Sequence, residues 1–216
     1  MKISKYLHSC LVFEKDNFKL LIDPGTFSFA EGLITADEFD NVNAILITHI
    51  HPDHLDKDNL KKIVELSDAP VYTVAQVQEV LKKEEIASEL IPEAIGPFNL
   101  ERIPVRHELI LDNPLPEMMG LLIDGKVLHP VDSFDDKLLQ YTGAELLLLP
   151  IMAPFTTEPI VAAFADKIQP KQILPVHDGF AKPFFLRQRY DNYKRHFERQ
   201  GIRFHDLMMI GATIEV

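Results

Sequence analysis

Apolar and polar positions alternate through "KYLHSCLVFE", give way at Asp16-Asn17, and resume in "FKLLIDPG". A period of two on both sides of a turn pair predicts a β-hairpin, closed by the Pro24-Gly25 turn. "FSFAEGLITADEFDNV" has little periodicity and reads as a connector, after which "AILIT" is a short apolar strand. In "DKDNLKKIVELSD" the period changes: Leu60, Ile63 and Val64 share one helical face, and aspartates near its start suit a helix N-terminus. Strand "PVYTV" and helix "AQVQEVLKKEE" continue the alternation, so helices are expected to cover a sheet.

From about residue 96 the pattern is strand-rich again, with "FNLERIPVRH", "MMGLLID", a tight Asp124-Gly125 turn and "KVLHPVDS". The tail alternates strand "AELLLLP", helix "EPIVAAFADKI", strand "KQILPVHD" and helix "PFFLRQRYDNYKRHFERQ". Leu186, Tyr190, Tyr193 and Phe197 share a face of that last helix and are read as core. No short solenoid period is present. The expectation is an α/β fold, one domain over 1–216 built from two αβ halves, about 1–110 and 111–216. The sheets should face each other, with a helix layer on each outside.

Composition narrows the function classes. A chain of 216 residues with 46% apolar side chains can bury a sizeable core. The single cysteine, Cys10, forms no intramolecular disulfide, and no N-terminal secretory pattern is visible, so a cytoplasmic location is expected. Apolar runs such as "ELLLLPIMAPF" are too short and proline-broken to span a bilayer, so no membrane partner is expected. A net charge of −11 repels polyanions at long range, which disfavours nucleic acid. Lys182, Arg187, Arg189, Lys194 and Arg195 read as the solvated face of a helix, with anion binding the secondary reading.

The chemistry concentrates in "THIHPDH", directly after a buried strand. Alternate residues of an extended segment point the same way, so His49 and His51 can address one metal ion. The turn at Pro52 then lets Asp53 and His54 face a neighbouring ion. Side chains of this type are costly to desolvate without partners, and a metal takes up their lone pairs.

"THIHPDH" resembles the signature loop of the metallo-β-lactamase superfamily, whose fold is a four-layer αββα sandwich with one or two metals at the edge of two apposed sheets. "YLHSCLVFEKDNFKLLIDPG", "KVLHPVDSF" and "AELLLLPI" with "PKQILPVHDG" extend the likeness along nearly the whole chain, in the manner of the ascorbate-6-phosphate lactonase-like branch. The resemblance implies two divalent ions, zinc favoured and manganese or iron compatible. It assigns His49, His51 and His107 to the first ion, Asp53, His54 and His177 to the second, and Asp132 as the bridging carboxylate. The residues support this independently. His107, Asp132 and His177 follow "ERIPV", "KVLHPV" and "QILPV" as His49 follows "AILIT", so four strand ends deliver ligands to one rim.

The family's Gly-Asp-Thr reads here as Val131-Asp132-Ser133, which keeps the carboxylate and a hydroxyl but adds bulk. His8, His129 and Asp23 are expected to support the ligands from outside, and His8 alternatively contacts substrate or leaving group. His196 and His205 match nothing and are read as surface or structural.

Two ions about 3.5–4 Å apart acidify a shared water, so a metal-bridged hydroxide is the expected nucleophile and hydrolysis of a small-molecule ester, lactone or phosphoester the expected reaction. Asp53 and His8 are the expected catalytic residues, Asp53 by moving a proton toward the leaving group. A phosphodiesterase or nuclease of the same fold, and a metal-binding module without turnover, are the rival classes. Specificity is expected in loops 26–40, 112–119 and 152–157. Phe155, Phe180, Phe184 and Phe185 are read first as packing and second as pocket walls.

Overall fold

The computed structural model describes residues 1–216. β1 (Lys2–Lys5) and β2 (Leu11–Lys15) pair antiparallel, so the N-terminal alternation is two strands. They are broken by a loop in which the Tyr6 N–H donates to the Cys10 carbonyl at 3.0 Å and His8 takes a φ of 59°. β3 (Phe18–Ile22) closes the hairpin through Asp16 and Asn17, both at positive φ, as a two-residue turn between twisted strands requires. After it come α1 (Thr26–Phe29), β4 (Ala44–Leu46), α2 (Lys57–Ser67), β5 (Val71–Thr73), α3 (Ala75–Lys83) and β6 (Glu89–Leu90). Helix α2 starts where Asp56 accepts the Asn59 N–H at 3.0 Å, and it buries Leu60 and Ile63.

The rest of the chain forms β7 (Ala94–Ile95), β8 (Phe98–Pro104), β9 (Met119–Ile123), β10 (Val127–His129), β11 (Leu146–Pro150), α4 (Glu158–Ile168), β12 (Gln172–Val176), α5 (Pro183–Glu198), β13 (Arg203–Phe204) and β14 (Ala212–Glu215). Two seven-stranded sheets result, ordered β14-β1-β2-β3-β4-β5-β6 and β13-β12-β11-β10-β9-β8-β7. The passage between sheets falls at residues 91–93, ahead of the expected position near 110, because β7 and β8 pair onward with β9. β14 returns to the first sheet, where Ile214 stands opposite Ile3.

Side-chain alternation on β11 and β12 shows why "LLLLP" and "QILPV" are apolar throughout. Leu146, Leu148, Leu174 and Val176 join the core that includes Leu20, Leu21 and Ile45 of the first sheet. Leu147, Leu149 and Ile173 point the other way, to Val161, Phe164 and Ile168 of α4 and Tyr190, Tyr193 and Phe197 of α5. A strand buried on both faces has no polar side, which is the rule for parallel strands covered by helices. The architecture is the αββα sandwich. No helix is long and apolar enough to cross a membrane.

Candidate metal centre

The carboxyl ends of β4, β8, β10 and β12 open on one rim and carry His49, His107, Asp132 and His177. Backbone contacts shape the histidine loop. The Thr26 N–H donates to the Pro52 carbonyl at 2.8 Å, and the His54 N–H to the His51 carbonyl at 3.0 Å. Gly25 lies against this turn so closely that a Cβ would stand 1.9 Å from the Asp53 carbonyl oxygen. Only glycine fits there.

Two groups of atoms that could ligate a metal form, His49, His51, His107 and Asp132 in one, and His8, Asp53, His54 and His177 in the other, each with its atoms within 4.8 Å of one another. Asp132 stands between them. Its Oδ2 is 3.6 Å from His49 Nε2 and 3.3 Å from His107 Nε2 on one side, and 3.3 Å from His54 Nε2 and 3.2 Å from His177 Nε2 on the other. Asp53 Oδ2 lies 3.3 Å from His177 Nε2 and 3.1 Å from His8 Nε2.

Four of the enclosed imidazoles, His49, His54, His107 and His177, donate from Nδ1 to a group behind them. His54 Nδ1 donates to Asp23 at 2.8 Å, His107 Nδ1 to the Glu108 carbonyl at 2.6 Å and His177 Nδ1 to the Met152 carbonyl at 2.6 Å. His49 Nδ1 donates to the Thr48 hydroxyl at 3.1 Å, and that hydroxyl donates to Asp23 at 2.6 Å. In the neutral form the proton of each of these four rings is thereby placed on Nδ1. The Nε2 atoms of His49, His54, His107 and His177 are buried without any hydrogen-bond partner, as is Oδ1 of Asp132. Buried polar atoms rarely stay unpaired, and four inward lone pairs around a carboxylate are the donor set a divalent ion accepts. The residues fit metal at both groups.

Charge is set by the same contacts. Burial lowers the His177 pKa, but the carboxylates of Asp132 and Asp53 outweigh it and raise it to about 9. His54 is raised likewise, against burial, by Asp132 and Asp23. His49 is depressed by burial and by the neighbouring charge of His54. An ion at these positions would displace protons from His54 and His177, so binding would favour higher pH. His8 differs: burial and the charge of His177 push it down to about 3, and its Nδ1 accepts the Gly179 N–H at 3.0 Å.

The Beta-lactamase superfamily domain model matches residues 2–177. The chain belongs to the metallo-β-lactamase superfamily. A UPF0173 protein of Pyrococcus furiosus is 31% identical over 191 residues, covering 83% of this chain and 84% of its own. Protein Rv0786c of Mycobacterium tuberculosis is 27% identical over 194 residues, with 85% and 86% covered. The metallo hydrolase Igni18 of Ignicoccus hospitalis superposes with a TM-score of 0.72 at 21% identity, over 100% of this chain and 98% of its own.

Against the superfamily pattern, the structure shows what Val131 costs. It holds a φ of 55° next to Asp132, a conformation that glycine adopts freely and a β-branched residue does not. His8, Asp23 and His177 are also left-handed, so four residues at this rim sit in sparsely populated backbone regions. His196 pairs with Asp166 and His205 with Gln172, outside both ligand groups. Two supports escaped sequence reasoning. Ser133 Oγ donates to the Arg106 carbonyl at 2.7 Å and the Phe134 N–H to Glu108 Oε1 at 2.8 Å, stitching the His107 loop to the Asp132 loop. Phe27, in the connector, packs its ring 5.0 Å from His8. The connector lacks periodicity, so no signal in it marked that residue.

Proposed function

We propose that this chain is a dinuclear metal-dependent hydrolase that cleaves an ester, lactone or phosphoester bond in a small molecule. The observation that carries the reading is the set of four partnerless Nε2 atoms on both sides of Asp132 Oδ2. His49, His51 and His107 would hold one ion, Asp53, His54 and His177 the other, and Asp132 both. Two divalent ions held there supply an acidified water and a Lewis acid for the scissile oxygen. Zinc suits the imidazole and carboxylate donors best, and manganese or iron share them.

The chain's own residues then orient and move protons. Asp53 is 15% exposed at the open side and its carboxylate accepts from His8, so it is the group placed to pass a proton toward the leaving atom. His8, protonated on Nε2, holds that carboxylate in place. The balance of 33 acidic to 22 basic residues favours a small substrate over nucleic acid. Buried, unpaired Cys10 suits a reducing compartment, and the cytoplasm is the proposed location.

Metal analysis coupled to a panel of esters, lactones, thioesters and phosphodiesters, on wild type and Asp53→Ala, tests the reading. The variant should fold, hold less metal at the second position and lose hydrolysis by several powers of ten. Unchanged metal content with an unchanged rate would overturn it.

A further inference from the structure

Three aromatic rings, Phe155 and Phe180 from loops and Phe27 from α1, pack against the imidazoles of the centre. Phe155, between β11 and α4, has its ring centroid 5.4 Å from His107 and 6.1 Å from His177. Phe180, between β12 and α5, lies 5.2 Å from His8 and 5.2 Å from His177. Phe27, at α1, lies 5.0 Å from both His8 and Phe180. Phe155 and Phe27 are half-buried and Phe180 is 40% exposed, so these rings stand at the boundary between the buried ligands and solvent. The chain directly after His107 exposes Leu109 and Leu111 as well. Phe184, by contrast, is 76% exposed on α5, and Phe185 lies under the Arg189 guanidinium, so neither belongs to this group.

An apolar surface left open beside a polar centre is covered when a ligand brings matching hydrocarbon. The ammonium packed at this corner, Lys5, is held in the core by Asp178 and Tyr190 and does not offer a charge to the opening. We propose that Phe27, Phe155 and Phe180 form an apolar wall, and that the substrate is an uncharged compound with a hydrocarbon or aromatic group next to its scissile bond. The proposal rests on the metal-centre reading above, and it deepens that reading by naming the substrate class.

The probe is a pair of metal-directed hydroxamates, benzohydroxamate and acetohydroxamate, titrated calorimetrically into metal-loaded protein whose metal content is measured in parallel. Wild type should bind benzohydroxamate at least about tenfold more tightly, the scale expected for covering a phenyl ring. Phe155→Ala and Phe180→Ala should each reduce that preference, and Phe155→Leu and Phe180→Leu, which retain bulk and guard against misfolding, should reduce it less. Hydrolysis of 4-nitrophenyl hexanoate should exceed that of 4-nitrophenyl acetate in kcat/KM and leave 4-nitrophenyl phosphate far behind. Equal affinities for the two hydroxamates in wild type, or faster turnover of the phosphate, overturn the wall. Hydroxamate preference without turnover of any ester removes the hydrolytic reading and leaves the wall standing. Failure of both probes on protein that takes up no metal removes the two together.

Discussion

The Gly179 N–H donates to Nδ1 of His8 at 3.0 Å, which leaves the ring proton on Nε2, 3.1 Å from Asp53 Oδ2. An imidazole so fixed is a donor to the Asp53 carboxylate, even though its Nε2 lies within the second ligand group. Asp53 is in turn held well below the usual carboxylate range, against burial, by the His177 imidazole 3.3 Å away and by the hydrogen bond from His8. His8→Ala should therefore lower kcat/KM by about 10–100-fold, the usual cost of losing an outer support of a metal ligand. His8→Asn should recover part of this, and metal content should fall less than activity. Kinetics with parallel metal analysis checks both points.

Gly25 fixes the other side of Asp53. With a Cβ placed 1.9 Å from the Asp53 carbonyl oxygen and 2.5 Å from the His54 nitrogen, Gly25→Ala must displace backbone, because no flexible side chain is there to yield. The expected destabilisation is about 3 kcal/mol, the upper part of the overpacking range. Urea unfolding should show it, together with metal loss from the second group.

How far the sequence discloses this centre depends on the range of the contacts. His49, His51, Asp53 and His54 are legible because six adjacent positions carry the whole pattern, and the strands β4 and β12 are legible because burial on both faces writes an unbroken apolar run. His107, Asp132 and His177 become visible as strand ends and through the family resemblance. The relay from His49 through Thr48 to Asp23 and His54 is hidden, since it joins residues 25 and 31 positions apart through a loop conformation. The His8 tautomer depends on a partner 171 positions away. β14 has only four residues and exists because β1 offers it an edge. Such features depend on tertiary contact, for which local spacing has no signature.

Lys5 and Asp178 form a buried ion pair, completed by the Tyr190 hydroxyl, which donates to Asp178 at 2.6 Å. Lys5 belongs to the first sheet, and Asp178 separates His177 from Gly179, so the pair ties one sheet to the loop that sets two site residues. Lys5→Met leaves the carboxylate buried without its cation and should cost about 3 kcal/mol or more. Replacing both charged groups, Lys5→Met with Asp178→Leu, should recover much of that stability, because two apolar residues carry no desolvation penalty. Urea unfolding of the single and double variants separates these outcomes.

His129 gives the clearest pH dependence. It is fully enclosed at the end of β10, its Nδ1 accepts the Val131 N–H at 3.3 Å, and its Nε2 has no partner. Burial pushes its pKa down to about 4 from an ordinary 6.5. Below 6.5 the unfolded chain therefore binds a proton that the folded chain refuses, and stability falls as pH drops from 6.5 toward 4. Above 6.5 both states are neutral and the contribution is constant. At about 1.4 kcal/mol per unit of difference, the loss across that window is about 3 kcal/mol. His129→Met should remove this part of the slope whatever it does to stability at neutral pH, so the quantity to compare is the change in unfolding free energy between pH 7 and pH 4.5. An undiminished slope in the variant would assign the acid sensitivity to the other histidines that burial depresses, His8, His49 and His51.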